Sequence, residues 1–157
     1  IVDARGLALT ARWRMNSLIT AYNRVICADS IDGRIGDLSL DHYAEYNNEI
    51  IRTFSSQPFH NQDKSFSVSK LELTMESGVG LSGEAEPVIR LSVSNDGGKT
   101  FNNEISRGFG KIGEYWRRSI WRRLGRFART AVFKFELSER VKPVIIKLDA
   151  KIRGGNA

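Results

Sequence analysis

The 157-residue chain has one cysteine, two histidines and three prolines. Cys27 alone forms no intrachain disulfide, and with only His42 and His60 beside it a zinc site is disfavoured. Long apolar runs are also missing, so neither a signal-peptide core nor a membrane-spanning helix is expected. Nucleophile and phosphate-binding signatures of the G-x-S-x-G, P-loop or H-E-x-x-H kind do not occur, and Cys27 has no histidine near it in sequence. The run G-F-G-K-I-G at 108–113 matches a dinucleotide fingerprint only superficially, because no β-α-β unit surrounds it. Glycoside cleavage needs two carboxylates about 5–10 Å apart, and no Asp or Glu here stands in a context that singles out a pair. The expectation is a non-enzymatic protein without metal or cofactor. Beginning at Ile1 rather than Met, it reads as a piece of a longer soluble polypeptide.

What the chain has in excess is arginine in one place. Between Arg107 and Arg129 eight cations oppose Glu114 alone, a local balance of +7 in a chain whose total is +6. Seven of the eight are Arg, whose planar fork suits ordered carboxylate or phosphate contacts better than a solvated lysine tail would. Upstream, Asp29, Asp32, Asp37, Asp41, Glu45 and Glu49 crowd one stretch with only Arg34 among them. Such polarity fits head-to-tail contacts between copies as well as it fits nucleic acid, while both runs are also what ordinary solvated faces look like.

Residues 9–40 are choppy, with short apolar runs broken by Asn, Asp and Gly. They read as short strands joined by tight turns, Asp32-Gly33 marking a two-residue hairpin. Residues 41–50 suggest a turn or short helix, 50–54 a connecting strand, and 55–63 a loop that bounds two regions, 1–55 and 64–153. In the second region Phe66 and Val68 alternate with serines, then Leu71, Leu73 and Met75 continue on the opposite parity. That slip predicts a β-bulge near Ser69 and Lys70. Ile89, Leu91 and Val93, then Ala131, Phe133, Phe135 and Leu137, then Val144, Ile146, Leu148, Ala150 and Ile152 give three more strands with one buried and one wet face. The pattern is all-β: an antiparallel, β-sandwich-like C-terminal module. The basic block is ambiguous. Trp116, Ile120 and Leu124 have helical spacing, but the crowding glycines favour an extended reading with Gly125 at a turn.

Ser94 to Phe101 reads S-N-D-G-G-K-T-F, the form S-x-D-x-G-x-T-(W/F) of the Asp-box found in sialidases and other β-propeller proteins. Its physics is that of a strand-joining turn. Ser94 opens it, Asp96 accepts hydrogen bonds from the turn's backbone donors, Gly97 or Gly98 supplies positive φ, and Thr100 and Phe101 lead into the return strand.

Taken in order, S-N-D-G-G-K-T-F, R-G-F-G-K-I-G-E-Y, R-R-S-I-W-R-R-L-G-R-F-A-R and V-I-I-K-L-D-A-K-I resemble the C-terminal portion of the packaged-DNA stabilisation proteins, the tail-hub or nozzle proteins of short-tailed double-stranded DNA phages. W-(R/K)-R-(L/V)-G-R, Trp121 to Arg126, is the most specific piece. Upstream, residues 12–29 and 32–43 resemble the last propeller-like strands before the same module. The resemblance implies a structural virion component, made in the host cytoplasm, that closes the head after packaging, retains DNA and supports its ejection. It implies a homo-oligomeric ring of six, with a portal adaptor and tail spike or plug proteins as partners, passing contact with double-stranded DNA, and no membrane. It further suggests that Arg117, Arg118, Arg122, Arg123 and Arg126 lock strands or neighbouring subunits through carboxylate pairs, with Trp116 and Trp121 as packed anchors. The alternatives are a basic nucleic-acid-binding β module, in which Tyr115, Trp116, Trp121 and Phe127 stack on bases, and a carbohydrate-binding or carbohydrate-active domain built on the Asp-box.

Overall fold

The computed structural model describes residues 14–80 and 85–155, and among these every regular element is a strand. The strand expected around residues 9–13 and part of the Gly-rich loop, 81–84, lie outside the described residues. The chain divides into two compact units, Ile1–Ile51 with Ser138–Arg140, and Arg52–Leu137 with Val141–Ala157.

In the first unit, β1 (Met15–Ala21), β2 (Arg24–Asp29) and β3 (Ile35–Asp37) form an antiparallel meander, and β4 (Ala44–Glu45) pairs with β5 (Asn48–Glu49). The tight turns are not at Asp-Gly. Tyr22-Asn23 and Tyr46-Asn47 each hold two successive residues at positive φ, the geometry that the twist of a two-residue hairpin demands. The hairpin around Gly33 exists, but its loop runs from Ser30 to Arg34. Residues 41–50, expected as a turn or short helix, form the β4–β5 hairpin instead. A charge cluster holds this unit. Arg14 pairs with Asp29 and Asp32, Arg34 pairs with Asp32, and the Arg34 guanidinium carbon lies 4.1 Å from the Tyr46 ring centroid.

The second unit is the sandwich. Its strands are β6 (Arg52–Ser55), β7 (Phe59–His60), β8 (Phe66–Met75), β9 (Val88–Ser94), β10 (Ile105–Gly108), β11 (Ser119–Phe127), β12 (Thr130–Leu137) and β13 (Ile145–Gly154). One sheet runs β10-β9-β12-β6 with β7 also on β12; the other runs β11-β8-β13, and every pairing is antiparallel. Strand 52–55, expected as a connector, belongs to this unit, and Phe54 stacks on Phe135 at 5.0 Å. Phe59, in the stretch expected as loop, sits edge-on to Phe133.

Period-2 alternation accounts for the core. Phe66, Val68, Leu71, Leu73 and Met75 of β8 face Ile89, Leu91 and Val93 of β9 and Ala131, Phe133, Phe135 and Leu137 of β12, all buried. The bulge lies at Ser69, as the parity slip predicts. Val68 and Lys70 oppose the adjacent residues Ile152 and Lys151, leaving Ser69 extra, and its hydroxyl donates to the Lys151 carbonyl at 3.1 Å. The expectation for β13 fails in part. It is an edge strand whose Leu148 and Ala150 pack on the core, whereas Ile146 is 65% and Ile152 42% exposed. Ile145 and Lys147 oppose the adjacent residues Met75 and Thr74, so Ile146 is the extra residue of a second bulge and falls out of the alternation, while Ile152 lies near the end of the strand.

Candidate interaction surfaces

Residues 107–129 split into a braced loop and a strand. The loop, 109–118, is anchored by fully buried Phe109, whose amide donates to the Pro87 carbonyl. Glu86 organises its base, accepting from the Gly110 amide at 3.2 Å and from Arg117 Nε at 3.0 Å. That carboxylate lies where a side chain on residue 108 would start: a Cβ there would stand 2.1 Å from the Glu86 carboxyl carbon, so any larger residue at 108 would displace the Glu86 carboxylate. Higher in the loop, the Ser77 hydroxyl donates to the Tyr115 carbonyl at 2.6 Å, and the Tyr115 ring lies over Gly78. The braced loop leaves Ile112, Tyr115 and Trp116 in solvent, Trp116 87% exposed. Trp116 is therefore not packed within this chain. Trp121 is a packed anchor, buried and donating its indole N–H to the Ile105 carbonyl at 2.8 Å.

The strand part is extended, but Gly125 is not at a turn. It sits inside β11 at φ +100°, where Arg123 and Leu124 together oppose Ser69 and break the register between Arg122 and Gly125. This bulge turns both Trp121 and Leu124 toward the core, and a strand thereby acquires apolar positions at a helix-like interval.

The arginines have different partners. Arg117 pairs with Glu86, and Arg118 with Glu72 of the neighbouring strand β8; Glu72 also pairs with Lys70. Lys70 foremost, and Arg118 after it, hold the Glu72 carboxyl below its usual range against a desolvation that opposes them. Arg107 Nε donates to the Ile120 carbonyl, Arg126 to the Ser65 hydroxyl at 2.7 Å, and Arg129 to Asp63 at 2.9 Å. Arg122 and Arg123 are exposed and have no ion-pair partner among the described residues.

Register brings further cations to the same face. Arg122 on β11 lies opposite Lys70 on β8, which lies opposite Lys151 on β13; one step on, Arg126, Ser67 and Arg153 form a second row. Cross-strand partners share a face, and this one points away from the core. Lys70, Lys151 and Arg153 were not among the residues singled out in sequence. Their wet parity was visible, but that β11 and β13 flank the same strand is a fact of topology.

In the turn from 94 to 101, Asp96 accepts from the amides of Lys99 (2.9 Å) and Thr100 (3.0 Å) and from the hydroxyls of Ser94 and Thr100 (both 2.6 Å). These bonds, the Ser94 hydroxyl's first, hold its carboxyl far below the usual carboxylate range. Gly97 and Gly98 both have positive φ. The Ser94 hydroxyl also accepts from Gly98, so the motif's polar groups are absorbed in closing the turn. Phe101 lies under the Lys134 ammonium, and the return strand begins only at Ile105.

No curated protein matches the chain significantly. A family model described as "Bacteriophage P22 Gp10, beta-sandwich" matches residues 51–153, a span that holds every strand of the second unit up to Arg153.

Proposed function

We propose a tail-hub role from one premise: the chain belongs to the bacteriophage P22 Gp10 beta-sandwich family. It is a structural component of a phage tail. In the finer reading it is part of a ring, six copies around, that closes the head after packaging, retains the DNA and supports its ejection, between a portal adaptor and the spike or plug proteins. The observation that carries this reading is the extent of the match, which spans the sandwich rather than a single turn motif.

The residues available for assembly differ from those the bare sequence suggests. Arg117 and Arg118 already have carboxylate partners inside the chain, and Trp121 is core. The surface suited to a subunit contact is the braced loop. Ile112, Tyr115 and Trp116 form an apolar knob whose backbone is fixed before any partner arrives, so little ordering entropy opposes docking.

A phage carrying a stop codon early in this gene tests the role. Heads should package DNA and then lose it, and the purified protein added to fresh lysates should restore infectious particles. Particles that stay full and infectious without the protein would refute it.

A further inference from the structure

We infer that the outer face of β11-β8-β13 is a contact surface for the phosphate backbone of duplex DNA. The inference stands on the face itself and not on the tail-hub reading.

The face has two halves of opposite character. Toward Arg118 it is neutralised: Glu72 pairs with Arg118 and Lys70, and Asp149 with Lys147 at 2.8 Å. Toward Arg126 it is not. Arg122, Lys151 and Arg153 are exposed with no carboxylate partner among the described residues, as is Arg123 in the β11 bulge, and Arg126 spends one N–H on a serine. Arg122 and Lys151 stand on either side of Lys70 across three strands, and Glu72, which Lys70 shares with Arg118, is the one carboxylate in contact with that row among the described residues. Among the described residues no carboxylate pairs with Arg122, Lys151 or Arg153, whereas an anion laid across the rows would.

The chemistry of the face selects the anion. Three strands at roughly 4.8 Å spacing spread the cations over about 10 Å; Ile120, half-buried, lies opposite Glu72, and the exposed Ile146 lies at the far, neutralised end of β13. Protein-binding patches are centred on aromatic or aliphatic anchors and are poor in lysine; here the aromatics lie elsewhere, on the 109–118 loop. Stacking on single-stranded bases needs aromatic platforms that the face also lacks. A second copy of the chain is a poor counterpart, since the acidic stretch that polarity suggested is largely paired at home: Asp29 and Asp32 with Arg14 and Arg34, Asp37 with Arg24, and Glu45 with Arg14. A duplex backbone needs rows of cations and no apolar centre.

The test is fluorescence anisotropy of a short labelled duplex of arbitrary sequence with the whole chain, from about 50 to 200 mM salt. Arg122→Gln, Lys151→Gln and Arg153→Gln are measured singly and together, with Lys99→Gln on the Asp96 turn as control. The wild type and control should bind with log affinity falling steeply against log salt. Each substitution should flatten the slope by about 0.9, and the triple variant should lose more than tenfold in affinity at the lowest salt. Melting temperatures should hold or rise, because like-charge repulsion is relieved; if the triple variant melts lower, the three single slopes decide. No duplex binding at the lowest salt, slopes unchanged by the substitutions, or tighter binding to polyglutamate than to the duplex would overturn the inference.

Discussion

Asp96 does the most with the fewest atoms. Two amides and two hydroxyls converge on its carboxylate, and they bond to the ionised form. Its pKa in the folded protein is therefore depressed. A depressed carboxylate stabilises the fold fully above its unfolded value, near 3.8, and loses that contribution as pH falls through the folded value. Asp96→Asn should thus lower the melting temperature near neutral pH, with the difference from wild type closing as both are taken down through the acid range in a pH series of thermal melts. The two tryptophans should behave oppositely. Trp121→Ala removes a buried ring and the bond to Ile105, and should cost about 3–5 kcal/mol by denaturant unfolding. Trp116→Ala removes an exposed ring, so stability should stay within about 0.5 kcal/mol, while self-association measured by light scattering should weaken. The Asp96 turn was legible at residue level because Ser94, Asp96, the two glycines and Thr100 of S-N-D-G-G-K-T-F act locally. Trp116 and Trp121 were not separable, since burial depends on which sheet lies opposite and not on neighbours in sequence.

At the scale of elements, β8 was readable down to its bulge, because a parity slip in an otherwise strict alternation is itself the signal of an extra residue at Ser69. Its partner β11 was not. The bulge there places Trp121, Leu124 and Phe127 at three-residue intervals on the core side, a spacing that a helix shares. Gly125 makes that geometry possible at φ +100°, although a Cβ there would meet nothing. Gly125→Ala should therefore destabilise by about 1–2 kcal/mol through backbone strain alone, measurable by chemical denaturation. Losses far below that would mean the strand relaxes to regular register. The β13 edge, with Ile146 and Ile152 left partly in solvent, escaped the sequence reading for related reasons: a bulge at Ile146 breaks the alternation, and at Ile152 alternation says which side chains share a face, not whether the face is covered.

At the scale of the molecule, the antiparallel sandwich was legible and the distribution of charge was not. The arginine block looked like one site. Folded, it divides into Arg117 and Arg118, which tie the loop to Glu86 and Glu72, and Arg122 and Arg126, which join Lys151 and Arg153 on an open face, with Arg123 exposed in the bulge between them. One part braces the subunit and leaves an aromatic knob for assembly; the other presents uncompensated charge to an external anion. Both uses fit a subunit resident in a tail, and residence is the claim on which the proposed role stands. Quantitative mass spectrometry of purified virions tests it most directly. The chain should be present in full particles at a constant copy number, about six for a ring of the kind that C6 closure allows, and should stay with the tails when heads are disrupted. Its absence from purified virions, or its presence only in lysate, would contradict the account.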